Sequence, residues 1–227
     1  MAEIQHETYG RIKVRRHLRS KYVRLSVSPN GELSVSAPLY TPLRFIRHFL
    51  KTSKSQIDHL LEYHRTTYED GSTIGKSHRL VTEHGLANKI VYKKPIIIVT
   101  LDDNTSIDDP HIQADLKQYI AKALRNEAKA YLPRRLEYLA SKGGFSYQKL
   151  RFSHAKSRWG SCSSDKTISL NIALMKLSFE AIDYVIIHEL AHTKELNHSP
   201  QFWKIVEDND PQFKKHRKIL RQESPHI

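Results

Sequence analysis

The sequence predicts an α+β protein: an N-terminal, antiparallel β-rich part with one helix over residues 1–107, then a mainly helical part with a small β-hairpin over residues 108–227. Three observations predict it. Apolar and polar residues alternate with a period of two at 22–28 and 33–37, and a β-branched run, Ile96-Ile97-Ile98-Val99, follows later. From His111 to Lys142 the period becomes helical, with Ile112, Leu116, Ile120, Leu124, Leu132, Leu136 and Leu139. Between the two patterns, Asp102-Asp103-Asn104 and Asp108-Asp109-Pro110 bound a polar stretch, where the boundary is expected.

The elements follow in order. The two alternating segments, split by the turn signal Pro29-Asn30-Gly31, predict a hairpin. Thr41-Pro42 predicts a helix start with Thr41 as N-cap. Ile46, Leu50, Ile57, Leu60 and Leu61 give that helix an apolar stripe, which fades near Tyr68, and Asp70-Gly71 breaks the chain. Strands are expected at 79–82, 90–92 and 96–101. Pro133 is expected to kink or divide the long helix, and Gly143-Gly144 to end it. A strand at 149–152 precedes a hairpin of 158–162 and 167–171 around Ser163-Ser164-Asp165-Lys166. Ser178 caps a helix from Phe179, Ser199-Pro200 opens a short one, and Asp210-Pro211 a last, basic one.

Lys and Arg number 37 against 24 Asp and Glu, a formal charge of +13. Such an excess favours polyanions: nucleic acid, acidic substrates or an anionic surface. Arg11, Lys13, Arg15, Arg16, Arg19, Lys21 and Arg24 fall within fourteen positions. Nucleic-acid binding through this basic strand pair is therefore an expectation, beside plain solvation of a strand face. Cys162 is the one cysteine, which excludes an intrachain disulfide and any CxxC site; a small apolar role is expected for it. The first residues lack the apolar region of a signal peptide, and no apolar run approaches the roughly 20 residues of a membrane span. A cytoplasmic protein without a membrane partner is the expectation.

The chemistry is expected in His188-Glu189-Leu190-Ala191-His192, followed by His198. Histidines four apart on a helix lie about 40° apart around its axis, one turn above the other, so both imidazoles reach one ion. Glu189 is placed to address a water at that ion. Phe179, Ile182, Ile186, Ile187 and Leu190 fall opposite the histidines, where they are expected to bury; Ala181 and Val185 flank the ligands. His198 must fold back, and Asn197, a residue tolerant of the left-handed conformation, is expected to end the helix before it. Three protein ligands leave a position for water, the arrangement of a catalytic Zn²⁺. Shuffling a chain with 14 histidines produces HExxH about 5% of the time, and HExxH with this third histidine only about 0.3%. His6, His17, His48, His59, His64, His78, His84, His111, His154, His216 and His226 have no ligand spacing and are expected mostly at the surface.

The segments Lys156-Ser157-Arg158-Trp159-Gly160-Ser161-Cys162-Ser163, Ile168-Ser169-Leu170-Asn171, Asp183-Tyr184-Val185, His188–His192 and Asn197-His198-Ser199-Pro200-Gln201-Phe202-Trp203 together resemble the YgjP-like metallopeptidase family. The likeness is dense over 149–222 and sparser, but in order, before it. It implies a zincin-type catalytic domain of the SprT-like kind, with His188, His192 and His198 as ligands. The histidine spacing is also that of metzincins, but Glu195 stands where those have Gly, and Met1 and Met175 leave no Met-turn.

Zincins commonly bind an extended substrate along an edge strand, so Arg158, Trp159 and Gly160 are candidate substrate-binding residues. Gly160 would admit another backbone, and Arg158 would face a carboxylate or oxyanion. Phe202 and Trp203 are expected to lock the His198 corner; Glu195, Glu207 and Asp183 are the candidates to orient a ligand. The expected reaction is zinc-dependent hydrolysis of a peptide bond in a peptide or protein substrate, with Glu189 as general base. Two alternatives stand: a phosphohydrolase acting on a nucleotide or other phosphoanhydride, and a nucleic-acid-associated binding protein with a zinc site. Three neutral histidines without paired carboxylates disfavour the first, and no P-loop is present.

Overall fold

The computed structural model describes residues 2–18, 20–27, 33–64 and 68–227. The chain is α+β and forms two compact units, Met1–Thr66 and Thr67–Ile227. The units therefore do not divide at the expected 107/108. The physical reason is burial: Leu80, Ile97, Val99 and Leu101, from strands assigned by pattern to the first part, share one core with Leu116, Ile120 and Leu124 of the long helix. The polar stretch that resembles a linker is a helix start, in which the Asp109 carboxylate accepts from the backbone of His111 and Ile112.

In the first unit, β1 (Ala2–His6), β2 (Gly10–His17), β3 (Arg24–Val27) and β4 (Leu33–Pro38) form a sheet in the order β1-β2-β4-β3. The expected β3–β4 hairpin is present and antiparallel; its turn at 29–31 lies outside the described residues. The sheet is mixed and not wholly antiparallel, because β2 and β4 run parallel. Ile12, Val14, Leu33 and Val35 face the helices α1 (Leu43–Thr52) and α2 (Lys54–His64), burying against Ile46, Leu50 and Ile57. One helix was expected here; a break at Ser53 makes two. Pro42, and not Thr41, occupies the cap, and no side chain caps the first turn.

In the second unit, β5 (Thr73–Ile74), β6 (His78–His84), β7 (Lys89–Lys93) and β8 (Ile96–Leu101) form a mixed sheet ordered β5-β6-β8-β7. It is followed by α3 (Pro110–Lys142), which runs through Pro133 without being divided. The helix ends in a Schellman turn: Gly144 takes φ 60° and the Phe145 amide donates to Ala140 at 2.8 Å. A second small sheet, β10 (Gly160–Cys162), β11 (Thr167–Asn171) and β9 (Lys149–Ser153), leads through a 3₁₀ turn at Ile172–Lys176 into α4 (Phe179–Ala191). Helices α5 (Pro200–Asn209) and α6 (Phe213–Gln222) complete the fold. Ser178 and Ser199 cap α4 and α5 as expected, each accepting from an amide three residues on.

A buried polar knot ties the β5–β6 turn to α3. The Glu127 carboxylate accepts from the Lys76 amide (2.7 Å), the Ser77 amide (2.8 Å), the Ser77 hydroxyl (2.7 Å) and His78 Nδ1 (2.6 Å). Gly75, at φ 64°, is required there, since a Cβ would stand 2.1 Å from Glu127 Oε2. His78 is thus buried, and His216 is buried against Asp210 at 2.8 Å; neither is the surface residue expected. Among the described residues, no helix is long and apolar enough to cross a membrane.

Candidate metal centre

Helix α4 is enclosed over most of its length. Ala181, Ile182, Ile186, Leu190 and Ala191 have no exposed surface, and the burial of such residues holds the helix rigidly under its polar edge. Phe179 departs from the expected pattern: it is half exposed, its ring set against Tyr131 and under the Lys76 ammonium at 4.6 Å. The helix stops at Ala191, and the amides of Lys194 and Glu195 turn back onto the Ala191 carbonyl. This turn, and not a left-handed Asn197, reverses the chain; Lys166 is the one non-glycine residue with positive φ among those described.

The reversal brings His198 over His188 and His192. One nitrogen of each imidazole lies within 4.8 Å of the others, and the Nε2 atoms of His188 and His198 are 3.1 Å apart. Two imidazole nitrogens that close share either a proton, as a hydrogen bond, or, with both lone pairs free, a cation. His188 is driven to a pKa of about 3 by burial and by the neighbouring His192, His198 and Arg217; His192 is lowered mainly by burial. Both are therefore neutral at pH 7, the form that ligates. His192 Nδ1 lies 3.1 Å from the Glu195 carbonyl, which accepts a hydrogen bond from Nδ1–H and leaves the Nε2 lone pair for a metal. Nδ1 of His188 is buried with no hydrogen-bond partner among the described residues. The donor set fits Zn²⁺: three imidazole nitrogens and, among the described residues, no fourth protein ligand.

Phe202, wholly buried, places its ring 4.5–4.9 Å from all three imidazoles. Trp203 stacks on His198 at 5.6 Å, and Arg217 stands over the Trp203 ring at 4.6 Å. Of the carboxylates considered for orienting a ligand, Glu195 acts through its backbone, and Asp183 instead pairs with Arg135 at 2.7 Å across α3 and α4.

Glu189 lies beside the cluster, 6% exposed. Burial pushes its pKa up to about 8, offset in part by the charge of Arg158. Gly160 is packed on it: a Cβ there would stand 2.7 Å from Glu189 Cγ and Oε1. The close approach expected of Gly160 is thus already used by the glutamate. Arg158 is exposed and Trp159 half-buried against the core. Their loop is held by Asn171, a residue to which the sequence alone assigned no role. Its side-chain amide donates to the carbonyls of Ala155 (2.7 Å) and Arg158 (2.9 Å), and its own amide to Trp159 (2.9 Å). The signal was an amide side chain closing an otherwise apolar strand end. Cys162, its thiol raised to about 11 by burial and the nearby Glu189, is no thiolate at neutral pH.

The YgjP-like metallopeptidase domain model matches residues 21–223. No curated protein matches the chain. Among solved structures, the metallopeptidase zymogen abylysin of Pyrococcus abyssi is similar at 30% identity, over 39% of this chain and 90% of that one, with a TM-score of 0.36. The jannalysin zymogen of Methanocaldococcus jannaschii is similar at 20% identity, over 40% and 93%, also with a TM-score of 0.36.

Proposed function

Since the chain belongs to the YgjP-like metallopeptidase family, we propose that it is a zinc-dependent peptidase in which His188, His192 and His198 hold the ion and Glu189 is the general base. The observation that carries this reading is the convergence of three imidazoles, two of them held neutral by burial, beside a buried carboxylate that is not one of the ligands. A bound Zn²⁺ supplies Lewis acidity and lowers the pKa of water to about 7. Its charge would also draw the Glu189 pKa down from the value burial imposes, leaving a carboxylate able to accept a proton. Glu189 takes the proton of the attacking water and returns it to the leaving amine. Gly160 keeps the carboxylate in place, and Phe202 and Trp203 hold the imidazoles for their common task. Arg158, at the mouth of β10, is placed to meet a carbonyl or carboxylate of a peptide or protein substrate. A reducing, cytoplasmic setting fits the single cysteine.

Elemental analysis of the purified full chain tests the site. Close to one zinc per chain is expected, and His188→Ala, His192→Ala and His198→Ala should each lose it. If His198→Ala keeps full affinity, the third ligand is misassigned. A peptide-library screen, with a nucleoside triphosphate in parallel, tests the bond. Phosphate release without peptide cleavage would move the same site to phosphoanhydride chemistry.

A further inference from the structure

The first unit holds 12 Lys and Arg against 5 Asp and Glu in 66 residues, whereas the rest has 25 against 19 in 161. The charge density is therefore concentrated in the first unit, and the sheet orders it. Ile12, Val14, Leu33, Val35 and Ala37 bury on one face. By the alternation of a strand, Arg11, Lys13 and Arg15 of β2, Ser34 and Ser36 of β4, and Arg24 and Ser26 of β3 share the other. The Ser26 and Ser34 hydroxyls, 2.9 Å apart, confirm that these strands present one surface. Across it, Arg15, Ser36 and Arg24 are register partners in one row, and Lys13, Ser34 and Ser26 in the next. Along β2 the cations recur every roughly 7 Å. Glu3, 3.7 Å from Arg11, is the acidic residue on this face among those described. Small hydroxyls between the cations keep the surface flat.

At the end where β2 and β4 finish and β3 begins, Tyr22 and Tyr40 are 68% and 89% exposed. A cationic strip leading to exposed aromatic rings suits a flexible polyanion whose charges repeat and whose bases offer π-faces. We propose that this face of the β1–β4 sheet binds single-stranded nucleic acid, through phosphates on Arg11, Arg15 and Arg24 and base stacking on Tyr22 and Tyr40. An anionic membrane fits less well. Arg11 lies six residues before His17 at the end of β2, roughly 20 Å along the strand, so the cations run away from the rings that would insert.

The test is fluorescence anisotropy of a fluorescein-labelled 20-nucleotide oligo(dT) titrated with the full chain. With three phosphate contacts, affinity should fall about 20-fold between 50 and 200 mM salt. Arg15→Gln/Arg24→Gln should reduce the salt slope by about 1.4, and Tyr40→Ala should weaken binding about 5-fold or more. Circular dichroism confirms that each variant is folded. Lys129→Gln/Lys142→Gln, on exposed positions of α3, should bind as wild type does. Absence of binding at 50 mM salt overturns the proposal. So does an equal loss in the α3 control, which would mean attraction by net charge alone. So does binding confined to phosphatidylserine vesicles.

Discussion

Glu127 on α3 and Glu189 on α4 are almost equally buried, at 8% and 6% exposure, yet they are held in opposite states. Burial alone would raise both. At Glu127, hydrogen bonds from Lys76, His78 and Ser77 outweigh it and hold the carboxylate below its ordinary range. At Glu189 only the charge of Arg158 opposes burial, and the pKa climbs to about 8. The first group is saturated with donors and ties a strand turn to a helix. The second is enclosed, unsaturated and set beside three imidazoles. A structural carboxylate has its needs met by the fold; one reserved for chemistry is left to be met by metal and substrate. Similar exposure thus separates into opposite states, because Glu189 lies deeper and lacks the donors that surround Glu127.

The sharpest way to break this comparison is to neutralise the second carboxylate. Glu189→Gln keeps the shape of the side chain and removes the base. It is expected to bind zinc and unfold as wild type does, and to lose about 10²–10⁴-fold in kcat. Equal turnover at equal zinc content would end the mechanism, and loss of zinc would make the carboxylate a ligand. Gly160→Ala acts on the same group by displacement. Its Cβ would stand 2.7 Å from Glu189, so kcat should fall about 10²-fold with zinc content kept. Unchanged kinetics would show that the carboxylate needs no fixed seat.

The two glutamates also differ in how legible they were. The histidine cluster is written locally: helical spacing places His188, Glu189 and His192, and Ser199-Pro200 marks the restart that lets His198 return. Glu127 is polar on a helix, which reads as solvent-facing, and its donors lie some fifty residues earlier. No periodicity connects such positions; only packing of the β5–β6 turn on α3 does. His78 was misjudged for the same reason, whereas His216 pairs with Asp210 only six residues earlier and is buried by the local turn that opens α6. The domain boundary failed differently. A polar run that caps a helix has the composition of a linker, and the parallel β6–β8 pairing that buries β8 against α3 leaves no local mark. The mixed character of both larger sheets was hidden likewise, because alternation reports a strand's faces and not its neighbours.

Neutralising the saturated carboxylate should have the converse effect. Glu127→Gln turns one acceptor end into a donor facing the donors of Lys76 and Ser77, and removes the charge they stabilise. A loss of about 2–4 kcal/mol in urea unfolding is expected, with turnover per folded, zinc-loaded molecule unchanged. A loss of turnover with stability intact would mean that the knot serves the site, and the division of roles between the glutamates would fail.

The smallest change tests the donor count itself. Ser77→Ala removes one hydroxyl donor at 2.7 Å and leaves the Ser77 amide in place. About 1 kcal/mol should be lost at neutral pH. The pH dependence is the more telling readout. Because the folded-state pKa of Glu127 is lowered, its stabilisation is complete above the ordinary carboxylate value and disappears as pH falls through the lowered folded value. Removing a donor raises that folded pKa toward the unfolded one and shrinks the contribution. The variant should therefore lose stability relative to wild type above the ordinary range, and the deficit should narrow as acid protonates the carboxylate in both. Equilibrium urea unfolding at a series of pH values from neutral down to acid measures the narrowing. A deficit that stays constant across that range would show that the hydroxyl contributes packing alone, and that Glu127 owes its low pKa to its other partners.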